Sequence, residues 1–142
     1  MTKEELEEGT KLSLDFDKRN GLLPVIVQEK VSGQILMLGY TNEMALEKTL
    51  RSRLATFWST SRQALWTKGE TSGDYLYVHH ILVDCDQDAL VYQVELMGNG
   101  VCHTRHEDGT HRKSCFYRSF DLKSHKLINL SSADPGPDAD IN

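Results

Sequence analysis

The sequence lacks several features that would point to particular classes of protein. Sixteen Lys and Arg stand against 21 Asp and Glu, so the net charge of −5 predicts no broad basic surface for nucleic acid or an anionic membrane. No apolar run approaches the roughly 18 residues of a membrane-spanning helix. The acidic start, MTKEELEEGTKL, has no apolar stretch of the kind found in a secretory signal. We therefore expect a cytoplasmic protein that binds neither nucleic acid nor membrane.

Cysteine is also scarce. The three cysteines, Cys85, Cys102 and Cys115, are separated by sixteen and twelve residues, so the chain has no C-x-x-C pair. An odd number of cysteines fits a disulfide framework poorly, and this wide spacing is by itself only a weak zinc signature. Three buried thiols are the ordinary alternative, because cysteine is often buried.

The first half of the chain predicts a hairpin followed by a helix. Residues 22–28 and 35–40 are apolar, β-rich runs on either side of a glycine-containing turn, which is the pattern of a β-hairpin. Thr41 or Asn42 can then cap a helix that runs to about Arg51. The candidate buried positions of this helix are Met44, Leu46 and Leu50.

Strands dominate the rest of the predicted fold. We expect strands at residues 54–58, 75–83, 89–97 and 115–120, and a polar, turn-rich segment at 59–74. The fold class is then α+β, a single domain over residues 1–130 with one or two short helices and a mixed or antiparallel sheet that curls toward a barrel. Residues 1–16 are expected to form an N-terminal arm or helix, and residues 131–142 a disordered acidic tail.

The densest cluster of functional groups is Asp84, Asp86 and Asp88, which alternate along the chain. Carboxylates held close together repel one another unless a cation lies among them, and such hard oxygen ligands suit Mg²⁺ or Ca²⁺. On a straight strand the outer pair would be about 13 Å apart, so one ion could contact all three only if the chain bends. An EF-hand loop is excluded, because its sixth position is Ala89 rather than glycine. A solvated acidic turn is the simpler alternative.

The surroundings of the cysteines strengthen the case for zinc. Cys85 lies inside the acidic cluster, and Cys102 is followed directly by His103 in a polar, glycine-containing stretch. Three thiolates and one open position would be the composition of a catalytic zinc site. On a strand, Cys85 would point away from Asp84 and Asp86, so two different metals could bind on opposite faces. His103 is the best candidate general acid or base, and His79, His80, His106 and His111 are weaker candidates.

A third signal lies in residues 65–73, LWTKGETSG. Two glycines allow the backbone to approach a ligand, Lys68 supplies positive charge, and Thr71 and Ser72 supply hydroxyls. This set of groups suits a phosphate or a ribose phosphate, although the order of a P-loop is absent. A hairpin loop with ordinary turn chemistry is the alternative.

These blocks resemble the phosphoribosyl-AMP cyclohydrolase family. The matching stretches run in one order from about residue 21 to residue 118 and are GLLPVIVQ, MLGYTNEMAL, FWSTSRQALWTKGETSG, VDCDQDAL, CHT and SCFYR. The resemblance implies an enzyme of histidine biosynthesis that opens the adenine ring of phosphoribosyl-AMP by hydrolysis of the N1–C6 bond. It also implies an obligate homodimer whose active sites lie at the interface between the two chains.

The resemblance further implies the ligands of each group. Cys85, Cys102 and Cys115 would bind one catalytic Zn²⁺ per subunit, with the three ligands shared between two chains, and His103 would assist proton transfer. Asp84, Asp86 and Asp88 would bind Mg²⁺. The expected substrate-binding residues are Arg62, Trp66, Lys68, Gly69, Thr71 and Ser72.

One departure from the family pattern lies between the last two cysteines. The family commonly has six residues there, whereas the stretch CHTRHEDGTHRKSC has twelve. The Asp108-Gly109 turn signal lets the extra residues loop out while both cysteines stay in place. It leaves open which of Arg105, Arg112 and Lys113 take the family's basic positions, and makes His106 and His111 possible extra participants.

Two other functions remain as alternatives. A zinc-dependent nucleobase deaminase would attack a similar carbon, but its H-x-E and P-C-x-x-C motifs are absent. A binding domain stabilised by structural zinc would need a fourth protein ligand, such as His111.

Overall fold

The computed structural model describes residues 1–130, so the predicted disordered tail at 131–142 lies outside the described residues. In this part of the chain strands dominate, and helix is confined to two short α-helices and one 3₁₀ turn. Helix α1 is Lys3–Glu8, begun by Thr2, whose hydroxyl accepts a hydrogen bond from the amide of Glu5. An irregular segment and the 3₁₀ turn Phe16–Arg19 follow. Within residues 1–130, no helix is long and apolar enough to cross a membrane.

The main sheet has four strands in the order β2-β1-β6-β5. The predicted hairpin is confirmed, with β1 at Leu23–Glu29 paired antiparallel to β2 at Ile35–Thr41. The two long strands are confirmed as well, with β5 at Leu76–Val83 antiparallel to β6 at Leu90–Leu96. Strands β1 and β6 are parallel, so the sheet is mixed and the chain between them must cross over.

Alternation of side chains along the central strands builds the core. In β1, Leu23, Val25 and Val27 are fully buried, whereas Ile26 between them is exposed. In strand β6, Leu90 and Val94 are likewise buried on one face. The other large members of the core are Leu36, Leu46, Phe57, Leu76, Val78, Tyr92 and Val101.

Helix α2, Glu43–Ser52, confirms the predicted helix and its cap, since the side chain of Asn42 accepts a hydrogen bond from Ala45 N at 2.9 Å. Of the positions predicted to be buried, Leu46 is correct, and Met44 and Leu50 are wrong because they are 56% and 53% exposed. Thr49 faces the core instead, because its hydroxyl accepts from Thr56 N and donates to the Ala45 carbonyl, so this polar group is satisfied while buried.

A second hairpin carries the chain toward the functional residues. The predicted third strand is present as β3 at Thr56–Ser59, but its partner β4 at Ala64–Thr67 falls in the segment predicted to be turns. The polar sequence around the connecting turn hid β4, since its pairing with β3 rather than its composition makes it a strand.

The last predicted strand is correct only at its end. Strand β7 is Arg118–Phe120 and pairs with β8 at Leu127–Asn129, which the sequence analysis missed. The assignment of residues 115–117 to this strand was wrong. Cys115 N donates one hydrogen bond to the Leu36 carbonyl of β2, but residues 115–117 do not form a strand.

Candidate active site

A cleft of about 180 Å³ opens between the loop after β4 and the segment after β6. It brings together most of the predicted site. The residues that line it are Trp66, Lys68, Gly69, Glu70, Thr71, Ser72, Asp74, Gly100, Val101, Cys102, His103 and His111. The candidate substrate loop therefore faces one of the candidate zinc ligands and the candidate proton carrier, although more than 25 residues of sequence separate them.

The loop after β4 folds back on itself at Gly69. This residue has φ of +93°, and a Cβ there would lie 2.4 Å from the amide nitrogen of Tyr75, so a larger residue does not fit. The Gly69 carbonyl accepts a hydrogen bond from Gly73 N at 2.7 Å. The side chains of Thr71 and Ser72 lie in the curve between these two glycines.

Asp74 joins the two walls of the cleft. Its Oδ1 accepts a hydrogen bond from Asn99 N at 3.0 Å, which ties the loop to the turn after β6. The Asp74 amide in turn donates to Ser72 Oγ at 3.2 Å. The sequence analysis missed Asp74 and Glu70 as lining residues, although both lie in or directly beside the glycine-rich motif that it had singled out.

Two of the cysteines meet at one end of this region. Cys102 is buried, and its amide donates to the Arg112 carbonyl at 3.1 Å. Cys115 is held by its own amide, which donates to the Leu36 carbonyl at 2.8 Å, and by Ser114, whose hydroxyl donates to the Ile35 carbonyl. The thiols of Cys102 and Cys115 are therefore neighbours, although the stretch between them is longer than is common in the family.

Ionisation of the cysteine pair is unfavourable. Loss of hydration, together with the adjacent Cys102 thiol, raises the pKa of Cys115 to about 11, and the nearby Lys68 ammonium offsets only part of this. Cys102 Sγ lies 2.9 Å from Thr104 Oγ1. A bound cation would favour the thiolates, so this donor pair fits a soft metal such as zinc.

The histidines divide between the cleft and other surfaces. His103 lines the cleft and is exposed. His111 also lines it, with Nδ1 2.9 Å from the Cys102 carbonyl oxygen. His79 lies on β5 and bonds through Nε2 to Glu95 at 2.9 Å, so it belongs to the sheet surface.

The three aspartates form a tight turn between β5 and β6. Their nearest carboxylate oxygens all lie within 4.8 Å of one another, so the chain bends as a shared ion would require. Asp84 Oδ1 accepts hydrogen bonds from the amides of Asp88 and Ala89, and Gln87 has φ of +56°. The assumption of strand alternation was wrong here, since residues 84–88 are a turn rather than a strand.

The N-terminal arm packs on this aspartate turn. Gln87 Oε1 accepts from Ser13 N at 2.6 Å, and its Nε2 donates to the carbonyls of Leu6 and Lys11. Gln87 is buried, and through these three hydrogen bonds its side-chain amide anchors the N-terminal arm.

A lysine of the 3₁₀ turn balances part of the charge of the aspartates. Lys18 Nζ contacts the Asp88 carboxylate and lies 3.9 Å from Asp86 Oδ2, while Arg19 donates to the Asp88 carbonyl. The contact with Lys18 lowers the pKa of Asp88 to about 2. The pKa of Asp86 is raised, chiefly by the Asp88 carboxylate and in addition by desolvation and by Asp84, as expected for crowded carboxylates. Three converging carboxylates fit a divalent cation.

Besides the three aspartates, two predicted residues lie away from the cleft. Cys85 is exposed on the aspartate turn. Among residues 1–130, the aspartates are the only three candidate metal ligands that converge, so Cys85 does not join Cys102 and Cys115 within one chain. Arg62 is exposed on the turn between β3 and β4, where its Nε lies 3.5 Å from Ser59 Oγ.

Comparison with known proteins identifies the family of this chain. Residues 37–117 match the family model for phosphoribosyl-AMP cyclohydrolase. The chain belongs to the phosphoribosyl-AMP cyclohydrolase family. It is therefore an enzyme, a hydrolase of the cyclohydrolase type, which acts on a cyclic amidine bond.

Similar proteins that carry the name phosphoribosyl-AMP cyclohydrolase cover most of the chain. One from Solibacter usitatus is 45% identical over 125 residues, which are 88% of this chain and 94% of the relative. One from Desulfatibacillum aliphaticivorans is 48% identical over 124 residues, with 87% and 94% covered. One from Streptococcus mutans is 54% identical over 108 residues, with 76% and 93% covered. The aspartate turn and the cleft both lie inside the residues that match the cyclohydrolase family model.

Proposed function

We propose that this protein is a phosphoribosyl-AMP cyclohydrolase of histidine biosynthesis, acting in the cytoplasm. One observation supports the assignment above the others. The cleft juxtaposes Lys68 and the loop hydroxyls, which suit a phosphorylated nucleotide, with Cys102 and His103, which suit hydrolysis.

The reaction is a ring opening with no small leaving group. Water adds its oxygen to C6 of the purine, and the N1–C6 bond breaks. The exocyclic nitrogen stays on C6, which becomes a carboxamide, and N1 leaves with a proton as part of an amidine. His103 moves that proton from the attacking water toward the ring nitrogen.

The walls of the cleft bind and orient the nucleotide. Lys68 Nζ lies 5.4 Å from the centre of the Trp66 ring, so a positive charge and an aromatic face are presented side by side. Lys68, Thr71 and Ser72 bind a phosphate, and the backbone around Gly69 lets it approach closely.

The metals that the family resemblance implies have suitable donors. Cys102 and Cys115 of one chain, with Cys85 of a second copy, would hold Zn²⁺ at the interface of a homodimer. Zinc bound there would supply Lewis acidity, which lowers the pKa of water toward 7. Asp84, Asp86 and Asp88 would hold Mg²⁺, which suits their hard oxygen ligands.

A direct assay tests this function. Purified protein is incubated with phosphoribosyl-AMP as isolated, after chelation, and after Zn²⁺ is restored with or without Mg²⁺, and ring opening is followed by absorbance. We expect turnover that is lost on chelation, returns with zinc, and is absent in Cys102→Ala. The matched control is Thr10→Ala, an exposed change near the N-terminus that should leave turnover unchanged.

Release of ammonia separates this reaction from a deaminase. Ring opening keeps the exocyclic nitrogen, so ammonia should stay at background while the substrate is consumed. Ammonia released in step with substrate loss would assign a deaminase instead. A folded, zinc-replete protein that leaves phosphoribosyl-AMP intact would overturn the proposal and favour a structural role for zinc.

A further inference from the structure

The extra residues between Cys102 and Cys115 form an ordered structure, which we call the insert hairpin and define as residues 104–112. His106 N donates to the Thr110 carbonyl at 2.8 Å, and Gly109 N to the His106 carbonyl at 3.0 Å. Asp108 Oδ1 accepts from both the amide and the hydroxyl of Thr110, at 3.0 and 2.6 Å. The tip of the insert hairpin is therefore a closed turn.

The base of the insert hairpin is fixed to the cleft. Arg112 N donates to the Thr104 carbonyl at 3.1 Å, and Cys102 N donates to the Arg112 carbonyl at the same distance. The Arg112 guanidinium also lies 4.1 Å from the centre of the Tyr117 ring. A Cβ on Gly100 would lie 2.6 Å from the Arg112 carbonyl oxygen, so the two strands of this region approach closely.

His111 is the residue that the insert hairpin delivers to the cleft. Its Nδ1 lies 2.9 Å from the Cys102 carbonyl oxygen, and its ring is one of the lining groups. A carbonyl oxygen can only accept a hydrogen bond, so Nδ1 must carry the hydrogen. In the neutral imidazole Nε2 then holds a lone pair and can accept a hydrogen bond.

We propose that His111 is a substrate-binding residue, whose Nε2 accepts a hydrogen bond from a donor group of the nucleotide. This inference rests on the proposed function for the identity of the nucleotide. Two kinds of donor are present on such a substrate, namely the nitrogen on C6 of the base and the ribose hydroxyls. Because its ring is oriented by the Cys102 carbonyl before binding, His111 gains the contact at little conformational cost.

The test compares nucleotide binding with and without the Nε2 atom. In His111→Asn, the side-chain amide can still donate to the Cys102 carbonyl, but Nε2 is missing. Binding of AMP is measured by calorimetry at pH 8 in the zinc-loaded protein. We expect about tenfold weaker binding in His111→Asn and in His111→Ala, the usual effect of one lost hydrogen bond. Zinc content should be unchanged, and Glu107→Ala, at the exposed tip, should bind AMP as the unaltered protein does.

Two analogues identify the donor. If the donor is on the base, the difference between the variant and the unaltered protein should disappear for IMP, which lacks the amino group. If the donor is on the ribose, it should disappear for 2′,3′-dideoxy-AMP. Equal affinity of His111→Asn and the unaltered protein for AMP would overturn the inference, as would equal losses with all three nucleotides.

The same proteins separate the two proposals. In the ring-opening assay, His111→Asn should raise KM about tenfold with kcat within about twofold, as expected when one ground-state binding contact is removed. If the unaltered protein binds AMP and shows the His111 effect but does not open phosphoribosyl-AMP, the proposed function fails and the inference stands. If the unaltered enzyme opens phosphoribosyl-AMP and the His111 variants match it in KM and in AMP affinity, the proposed function stands and the inference about His111 fails.

Discussion

The aspartate turn and the cysteine pair are both candidate metal centres, but the chain completes only one of them by itself. Asp84, Asp86 and Asp88 converge within a single tight turn. Cys102 and Cys115 meet through contacts between distant segments, and the third thiol is elsewhere. The first centre is local in sequence, whereas the second depends on tertiary structure and, we propose, on a second chain.

The two centres also differ in how their charge is balanced. At the aspartate turn, Lys18 neutralises part of the negative charge and holds the pKa of Asp88 at about 2, so the turn is stable before any cation binds. At the cysteine pair the Lys68 ammonium offsets only part of the opposing effects, and the pKa of Cys115 is about 11. Metal binding there must therefore displace protons, so the affinity of the cysteine pair for its metal should depend on pH.

The largest expected effect comes from mixing two inactive variants. Cys85→Ala and Cys102→Ala should each be inactive, but when they are refolded together, random pairing leaves one intact thiol site in each mixed dimer. About a quarter of the normal turnover should therefore return, as two-fold symmetry requires. Turnover is measured after gel filtration of the refolded mixture.

The aspartates provide the matched comparison. Asp86→Asn and Asp88→Asn should not restore each other, because every chain in the mixture still has a damaged turn. Recovery of turnover in the mixture of aspartate variants would show that the aspartate centre is shared between chains. No recovery in the mixture of cysteine variants would show that the cysteine centre is not shared.

An intermediate effect is expected at the link between the walls of the cleft. Asp74→Ala removes the acceptor for Asn99 N, so the substrate loop should lose its fixed position and kcat/KM should fall about tenfold, the usual consequence of losing a charged hydrogen-bond partner. Steady-state kinetics measures this. Asp74→Asn keeps an oxygen acceptor and should retain most of the activity, so an equal loss in both variants would show that the charge of Asp74 matters rather than the link.

The smallest effect concerns stability. Glu29 accepts hydrogen bonds from Lys113 at 2.6 Å and from Ser32. Burial raises the pKa of Glu29, but these two partners outweigh it, so the pKa lies below its usual value of 4.5. A lowered folded-state pKa stabilises the protein above the unfolded-state pKa, and this stabilisation is lost as the pH falls through the folded-state value.

Glu29→Gln should therefore lower the free energy of unfolding by about 1 kcal/mol at pH 7, after allowance for solvent screening, and by less at pH 4, which is below the usual pKa of 4.5. Urea denaturation at the two pH values measures the difference. Glu8→Gln, which removes the same charge from the exposed helix α1, is the control. A pH-independent difference would mean that the ion pair contributes nothing to stability.

The sequence analysis succeeded where the signal is local. The hairpin of β1 and β2, the cap at Asn42 and the two long strands all follow from the spacing of apolar residues and from turn or capping residues. The convergence of Asp84, Asp86 and Asp88 was foreseen as a requirement for a shared ion, and a tight turn supplies it.

Prediction from the sequence failed where a pairing or hydrogen-bonding partner, rather than the spacing of apolar residues, decides the outcome. Strand β4 is a four-residue run, ALWT, within a polar, turn-rich segment, and its pairing with β3 makes it a strand. Thr49 is buried in place of Leu50, because the backbone of Thr56 satisfies its hydroxyl. Neither partner can be identified from a local pattern.

The sequence by itself determined the chemical groups of this protein: three alternating carboxylates, three separated thiols, a histidine beside one of them and a glycine-rich loop. Only the tertiary structure decided their arrangement. It joined the loop to the turn after β6 through Asp74, placed Cys102 beside Cys115, and turned His111 into the same cleft. The physical reason is that residue type sets what a group can bind, whereas hydrogen bonds between segments far apart in the chain set which groups meet.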